Sequence, residues 1–211
     1  FNGLRYSSSK AFLKPIQNKN NVEIKVNAQV TSIILKDNKA IGVNYTHNNS
    51  DDLKVLKANK EIILCAGAIN TPKILQLSGI GPASLLSEKG IEVINDLKGV
   101  GNNLRDHYGV RMVSYLQNIK TFNSIVRGPP LLYEIFKWII QKPSVLSVSP
   151  SLVHVFTKSS LKLKIPDLEY VMSPASFKEG TVGLLDKVSG MTLGVWQTRP
   201  KSNGYVKINS K

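Results

Sequence analysis

The run EIILCAGAINTPKILQLSGIGP, residues 61–82, holds the residues best spaced for chemistry. Gly67 directly follows an apolar run, Thr71-Pro72 comes next, and a second Gly-x-Gly-Pro follows a dozen residues on. A strand that ends in glycine and turns into a helix places backbone without a Cβ at the carboxyl end of the strand, where open α/β sheets bind ligands. A cofactor could then touch the main chain at Gly67. The alternative is a tight turn with nothing above it, and spacing alone leaves both open. Other chemically capable groups are sparse. His47 lies in an Asn-rich loop, His154 in the strand-like LVHVF, and His107 closes NLRDH, where a structural hydrogen bond is its simplest role. None has the spacing of a metal site or a Ser-His-Asp arrangement, so no metal is expected. Cys65 is the single cysteine, which excludes an internal disulfide; beside an apolar strand it reads as a buried, inert thiol and fits a reducing compartment.

The elements that must position these residues follow from hydrophobic periodicity. Val22, Ile24, Val26, Ala28 and Val30 alternate with polar residues, KDNKA supplies turn chemistry, and Ile41, Val43 and Tyr45 alternate again, which predicts a hairpin. After a polar loop over 47–52, residues 53–58 add a third strand. EIILCAG is continuously apolar, as expected of a strand covered on both faces in a parallel sheet. Thr71-Pro72 predicts a helix start, Ile74, Leu75 and Leu77 its buried side and Gly79 its end. A second helix runs from near Pro82 to Gly90 with Leu85 and Leu86 inward, and IEVI returns as a strand. Further on, Val110 to Leu116 is a strand and PLLYEIFKWIIQKP a helix whose Leu132, Ile135, Phe136, Ile139 and Ile140 share one face. That stripe is read as core, ahead of a substrate channel lining or a membrane-docking face. Strands over 152–156, 168–172 and 191–197 follow, and GYVKINSK reads as an unfinished strand.

Composition bounds the rest. The 211 residues, 42% of them hydrophobic, suffice for one ordinary core or two small ones, and no apolar run approaches the ~20 residues of a membrane span. The chain starts at Phe1 with no signal-peptide pattern, and is read as a piece of something longer. A formal charge of +14 invites a nucleic-acid partner, but the basic residues are scattered, with only five Arg, which favours a solvated basic surface and argues against that partner.

The block at 61–82 resembles the second signature of the glucose-methanol-choline (GMC) flavin oxidoreductases, matched from Gly67 through Thr71-Pro72 and Ile74-Leu75 to Ser78-Gly79-Ile80-Gly81. Three more blocks stand in the family's order: GLRYSSSKAFLKP at 3–15, VEIKVNAQVTSIILKDNKAIGV at 22–43 and LKGVGNNLRDH at 97–107. TRPKSNGYVKINS, at 198–210, is similar again, and the stretch between resembles the variable substrate domain.

This resemblance implies an α/β fold, α+β overall: part of a Rossmann-like FAD-binding domain over 1–107 and part of an antiparallel-sheet substrate domain over 108–211, with the pieces interleaved along the sequence. It implies FAD as cofactor, with the backbone of Val30 at the adenine end and Ala66 and Gly67 against the cofactor. The phosphate-binding Gly-x-Gly-x-x-Gly turn is expected upstream of Phe1 and the catalytic His with its partner beyond Lys211, so this stretch is expected to hold no catalytic residue and to be inactive alone. In the family the substrate hydroxyl loses its proton to that His while hydride passes to flavin N5. IPDLEYVMSP is similar to the strand over the flavin, which makes Tyr170 and Met172 candidate substrate contacts. Choline-oxidising members carry Glu two residues after the Asp-His pair; here DHYGV places Tyr108 and then Gly109, also candidate substrate residues. With no carboxylate there, the expected activity is oxidation of an uncharged primary alcohol by a dehydrogenase using an external electron acceptor. Choline is the alternative substrate, and a degenerate, non-catalytic module the alternative function. The expected location is cytoplasmic, with peripheral membrane attachment as the variant.

Overall fold

The computed structural model describes residues 4–48, 50–181 and 183–211; Gly3 of the first block and Asn49 of the polar loop lie outside them. The chain divides into two compact units, Glu23–Asp106 with Lys201–Lys211, and Phe1–Val22 with His107–Pro200.

In the first unit, β1 (Ala28–Lys36) and β2 (Lys39–His47) form the predicted hairpin. Asp37 and Asn38 stand at φ 50° and 60°, the pair of left-handed residues that a two-residue type I′ turn requires. β3 (Lys54–Lys57) pairs with β2 and completes a β1-β2-β3 meander. The alternation over 22–27 does not extend β1, because Asn27 at φ 53° breaks the extended backbone.

EIILCAG departs from expectation. Residues 61–66 form no strand and Ile63 is 76% exposed, as is much of the Cys65 side chain. A central strand needs ladder partners at both edges, and no described strand pairs with these residues. The buried thiol read from the sequence is therefore corrected to an exposed one.

Helix α1 (Gly67–Leu77) begins a full turn before the predicted Thr71-Pro72 start, so Pro72 sits inside it. Pro72 lacks the N–H that would bond the Ala68 carbonyl. Ser78 caps the helix, and Gly79 follows at φ +80°, where a Cβ would stand 2.5 Å from the Glu92 carbonyl oxygen. Both the left-handed backbone and the close approach require glycine there. β4 (Ile80–Gly81), α2 (Ala83–Glu88) and β5 (Asn95–Asp96) follow, with β4 and β5 parallel. The strand predicted over IEVI is confined to the next two residues. β6 (Asn102–Leu104) ends this passage.

The second unit is built on an antiparallel sheet. β7 (Gly109–Tyr115) precedes α3 (Phe122–Ile125) and α4 (Gly128–Ile139), and β8 (Val153–Thr157), β9 (Leu168–Ser173) and β10 (Gly190–Gln197) complete it in the order β7-β10-β9-β8. These strands fall within one or two residues of their predicted positions. α4 also forms where predicted, but its apolar stripe is not core: Leu132 is 69% and Ile139 65% exposed, and the one buried residue of the helix is Glu134. Its packed neighbours are α3 and the 3-10 turn Val145–Ser147, neither of which covers the stripe.

β11 (Gly204–Tyr205) pairs with β6, returning the chain to the first unit. There Ile208 joins Leu85, Leu86 and Ile91 in the buried cluster, with Leu77 packed against it. By packing, 201–211 group with 23–106, where Ile208 sits in the core, and 1–22 group with 107–200.

Candidate functional site

In the first unit the candidate residues gather at α1. Ala66 is half-buried, and Gly67 opens the helix at φ +82° with no atom within 4 Å of the place a Cβ would occupy. The left-handed backbone explains the glycine, and the open space above it is room in which a ligand could lie against the main chain. Val30 is half-buried on β1, the strand that packs against α1. The tie between the two elements is explicit: Ser78 Oγ accepts from the Ile33 N–H at 2.8 Å and donates to the Ile74 carbonyl at 2.6 Å. A cleft of about 470 Å³ runs along the same helix, bordered by Ala68, Thr71 and Pro72 on α1 and by Asn102, Asn103 and Arg105 of the NNLR block. Arg105 Nε donates to Asn203 Oδ1 at 2.8 Å, joining this block to the C-terminal passage.

Gln76 holds this wall in place and was missed in the sequence. Its side chain is fully buried; Nε2 donates to the Val206 carbonyl at 3.0 Å and Oε1 accepts from the Ile208 N–H at 2.9 Å. The available signal was a polar residue set inside the stripe Ile74-Leu75-Gln76-Leu77, which a buried amide with long-range backbone partners would explain.

In the second unit the sheet sorts the substrate candidates by face. Val171, Ser173, Thr192 and Gly194 are buried on one face. Tyr170 and Met172 alternate with them and lie half-buried on the other, level with Val195 and Leu193 of β10 and with Val155 and Val153 of β8. Val110 and Met112 of β7 continue that second face, which carries no carboxylate. Gly109 belongs to the first face. A Cβ on it would stand 2.9 Å from Trp196 Nε1, so its glycine makes room for the indole. The sheet therefore does not bring Gly109 together with Tyr170 and Met172. Tyr108, 76% exposed, precedes β7 and accepts through its carbonyl from the Gln197 N–H.

The histidines stay outside both clusters. His154 Nδ1 meets Glu169 Oε1 at 2.9 Å, His47 closes β2, and His107 is engaged in contacts of its own. Among the described residues no group of His, Cys, Asp and Glu could hold a metal ion, and no helix is long and apolar enough to cross a membrane.

Comparison with known proteins agrees with this architecture. The family model of the GMC oxidoreductases matches residues 1–109. An alcohol dehydrogenase [acceptor] of Pseudomonas putida is 33% identical over 217 residues, covering 99% of this chain and 38% of that protein. An oxygen-dependent choline dehydrogenase of Pseudomonas savastanoi pv. phaseolicola is 31% identical over 218 residues, covering 100% of this chain and 37% of the relative. The crystal structure of a formate oxidase superposes with a TM-score of 0.83 over 92% of this chain and 38% of its own, at 24% identity, which speaks for the fold alone. The chain thus spans little more than a third of the length of these proteins. It belongs to the GMC oxidoreductases, a family of FAD-binding enzymes.

Proposed function

We propose that the protein of which this chain forms part is an FAD-dependent dehydrogenase that oxidises an uncharged primary alcohol to the aldehyde and passes the electrons to an external acceptor. The observation that carries the substrate class is the apolar, carboxylate-free sheet face bearing Tyr170 and Met172. A quaternary ammonium would gain from a carboxylate on such a face, whereas an apolar alcohol loses nothing by its absence. The open space over Gly67 fits a bound cofactor, and in this reading the backbones of Ala66 and Gly67, with Val30 at the adenine end, hold it. FAD, when bound, supplies the hydride acceptor. The chain's own part is to present backbone to the cofactor, to fix the α1 cleft wall through Gln76, and to offer an apolar surface that orients the alcohol and excludes water. None of His47, His107 and His154 is assigned the role of base.

Anaerobic addition of alcohols to the purified flavoprotein tests this reading. Aliphatic or aromatic primary alcohols are expected to bleach the flavin absorbance and choline to leave it unchanged; bleaching by choline alone would replace the substrate assignment. Gly67→Ala tests the cofactor contact. Open space means that only the φ cost of about 1–2 kcal/mol falls on the fold, while flavin occupancy drops at least about tenfold. Full occupancy in that variant would leave Gly67 as a turn residue only.

A further inference from the structure

We propose that the cleft beside the C-terminal end of α4 is a second binding site, for an amphipathic anion: a carboxylate or phosphate on an apolar body. The cleft measures about 830 Å³, within the range of small-molecule sites. Arg5, Lys10 and Lys14 line it together with Trp138, Ile139 and Leu146. No carboxylate is among its lining residues, and none of the three cations forms an ion pair among the described residues. Three like charges converging on one apolar cleft repel each other, and an anion relieves that repulsion.

A second observation comes from Ser147. Ser147 is 6% exposed, lines the cleft, and its Oγ has no hydrogen-bond partner. A buried hydroxyl without a partner costs stability, so such a group calls for an acceptor or donor that the structure does not itself supply. Hydrogen bonds hold the turn that carries Ser147. Glu134 Oε2 accepts from the Val145 N–H at 2.9 Å, the Glu134 carbonyl accepts from Ser144 Oγ at 2.9 Å, and Ser144 caps the 3-10 turn that carries Leu146 and Ser147. The nearby acid is already occupied, since Glu134 Oε1 pairs with Lys137 at 2.8 Å. Cations, an indole, aliphatic side chains and a buried serine lining one cleft match a charged head joined to an apolar body. This site is independent of the alcohol-oxidation reading.

The test is a titration of the purified protein with decanoate, followed by tryptophan fluorescence, beside decanamide, inorganic phosphate and vesicles of phosphatidylcholine with or without phosphatidylglycerol. Decanoate is expected to saturate, to bind at least about tenfold more tightly than decanamide or phosphate, and to weaken by about tenfold in K10Q/K14Q and as salt rises to about 0.2 M. Ser147→Ala removes an unpaired hydroxyl, so it should fold at least as stably and bind decanoate several-fold more weakly. If only vesicles containing phosphatidylglycerol are bound, and K10Q/K14Q abolishes this, the anion is a lipid headgroup; saturation by decanoate identifies a soluble one. Equal affinity for decanoate and decanamide, binding unchanged in K10Q/K14Q and Ser147→Ala, or no saturable response to either anion source would overturn the site.

Discussion

Helices α1 and α4 invert what their sequences suggest. α4 carries the cleaner apolar stripe, yet Leu132, Phe136 and Ile139 face solvent and its buried residue is the charged Glu134. α1, whose stripe is interrupted by Gln76, is the better anchored: Ile74 and Gln76 are buried and Ser78 ties its end to β1. Amphipathic patterning states which face of a helix gains from burial; it does not state whether a partner is there to bury it. In both helices polar contacts help fix position, a buried amide in one and a buried carboxylate in the other, and both reach backbone groups outside their own helix.

That comparison can be broken most forcefully at Gln76. Gln76→Leu keeps roughly the volume but strands the Ile208 N–H and the Val206 carbonyl in a dry interior, and a loss of about 2–4 kcal/mol in denaturant unfolding is expected. A loss below about 1 kcal/mol would mean that those groups reach water. Glu134 gives a smaller effect with a pH signature. Hydrogen bonds from Lys137, the Val145 N–H and Ser144 lower its pKa from 4.5 to about 2. A carboxyl whose folded pKa lies below its unfolded value contributes stability that is present above pH 4.5 and lost as the pH falls towards 2. Glu134→Gln should therefore cost about 1–2 kcal/mol at neutral pH and flatten the acid limb of the stability curve, as circular dichroism melts from neutral to strongly acidic pH would reveal. An unaltered acid limb would place the acid sensitivity elsewhere. The smallest change is expected for Arg105→Ala, which removes an exposed hydrogen bond to Asn203 and should shift stability by less than about 1 kcal/mol while loosening the rim of the α1 cleft.

Legibility followed the range of the forces involved. The β1–β2 hairpin was readable because Asp37-Asn38 and the flanking alternation are local, and the Gly79 cap because a left-handed residue after a helix calls for glycine. The strands of the second sheet were readable from alternation, but not which parity would be buried; the register placed Gly109 under Trp196 and Tyr170 with Met172 on the open face. EIILCAG was misread because a continuous apolar run reports an environment rather than a conformation, and among the described residues that environment is missing.

By itself, then, the sequence determined the kinds of element, most of their positions, the turn and cap residues, and the ordered blocks by which the family was identified, since all of these depend on neighbours a few residues apart. Only the tertiary structure decided that Ile208 returns to the core of the first unit, that Gln76 is its polar clamp, and that three cations and an unpaired hydroxyl meet at one cleft. Those outcomes join residues more than 130 positions apart, and no local propensity carries information over that separation.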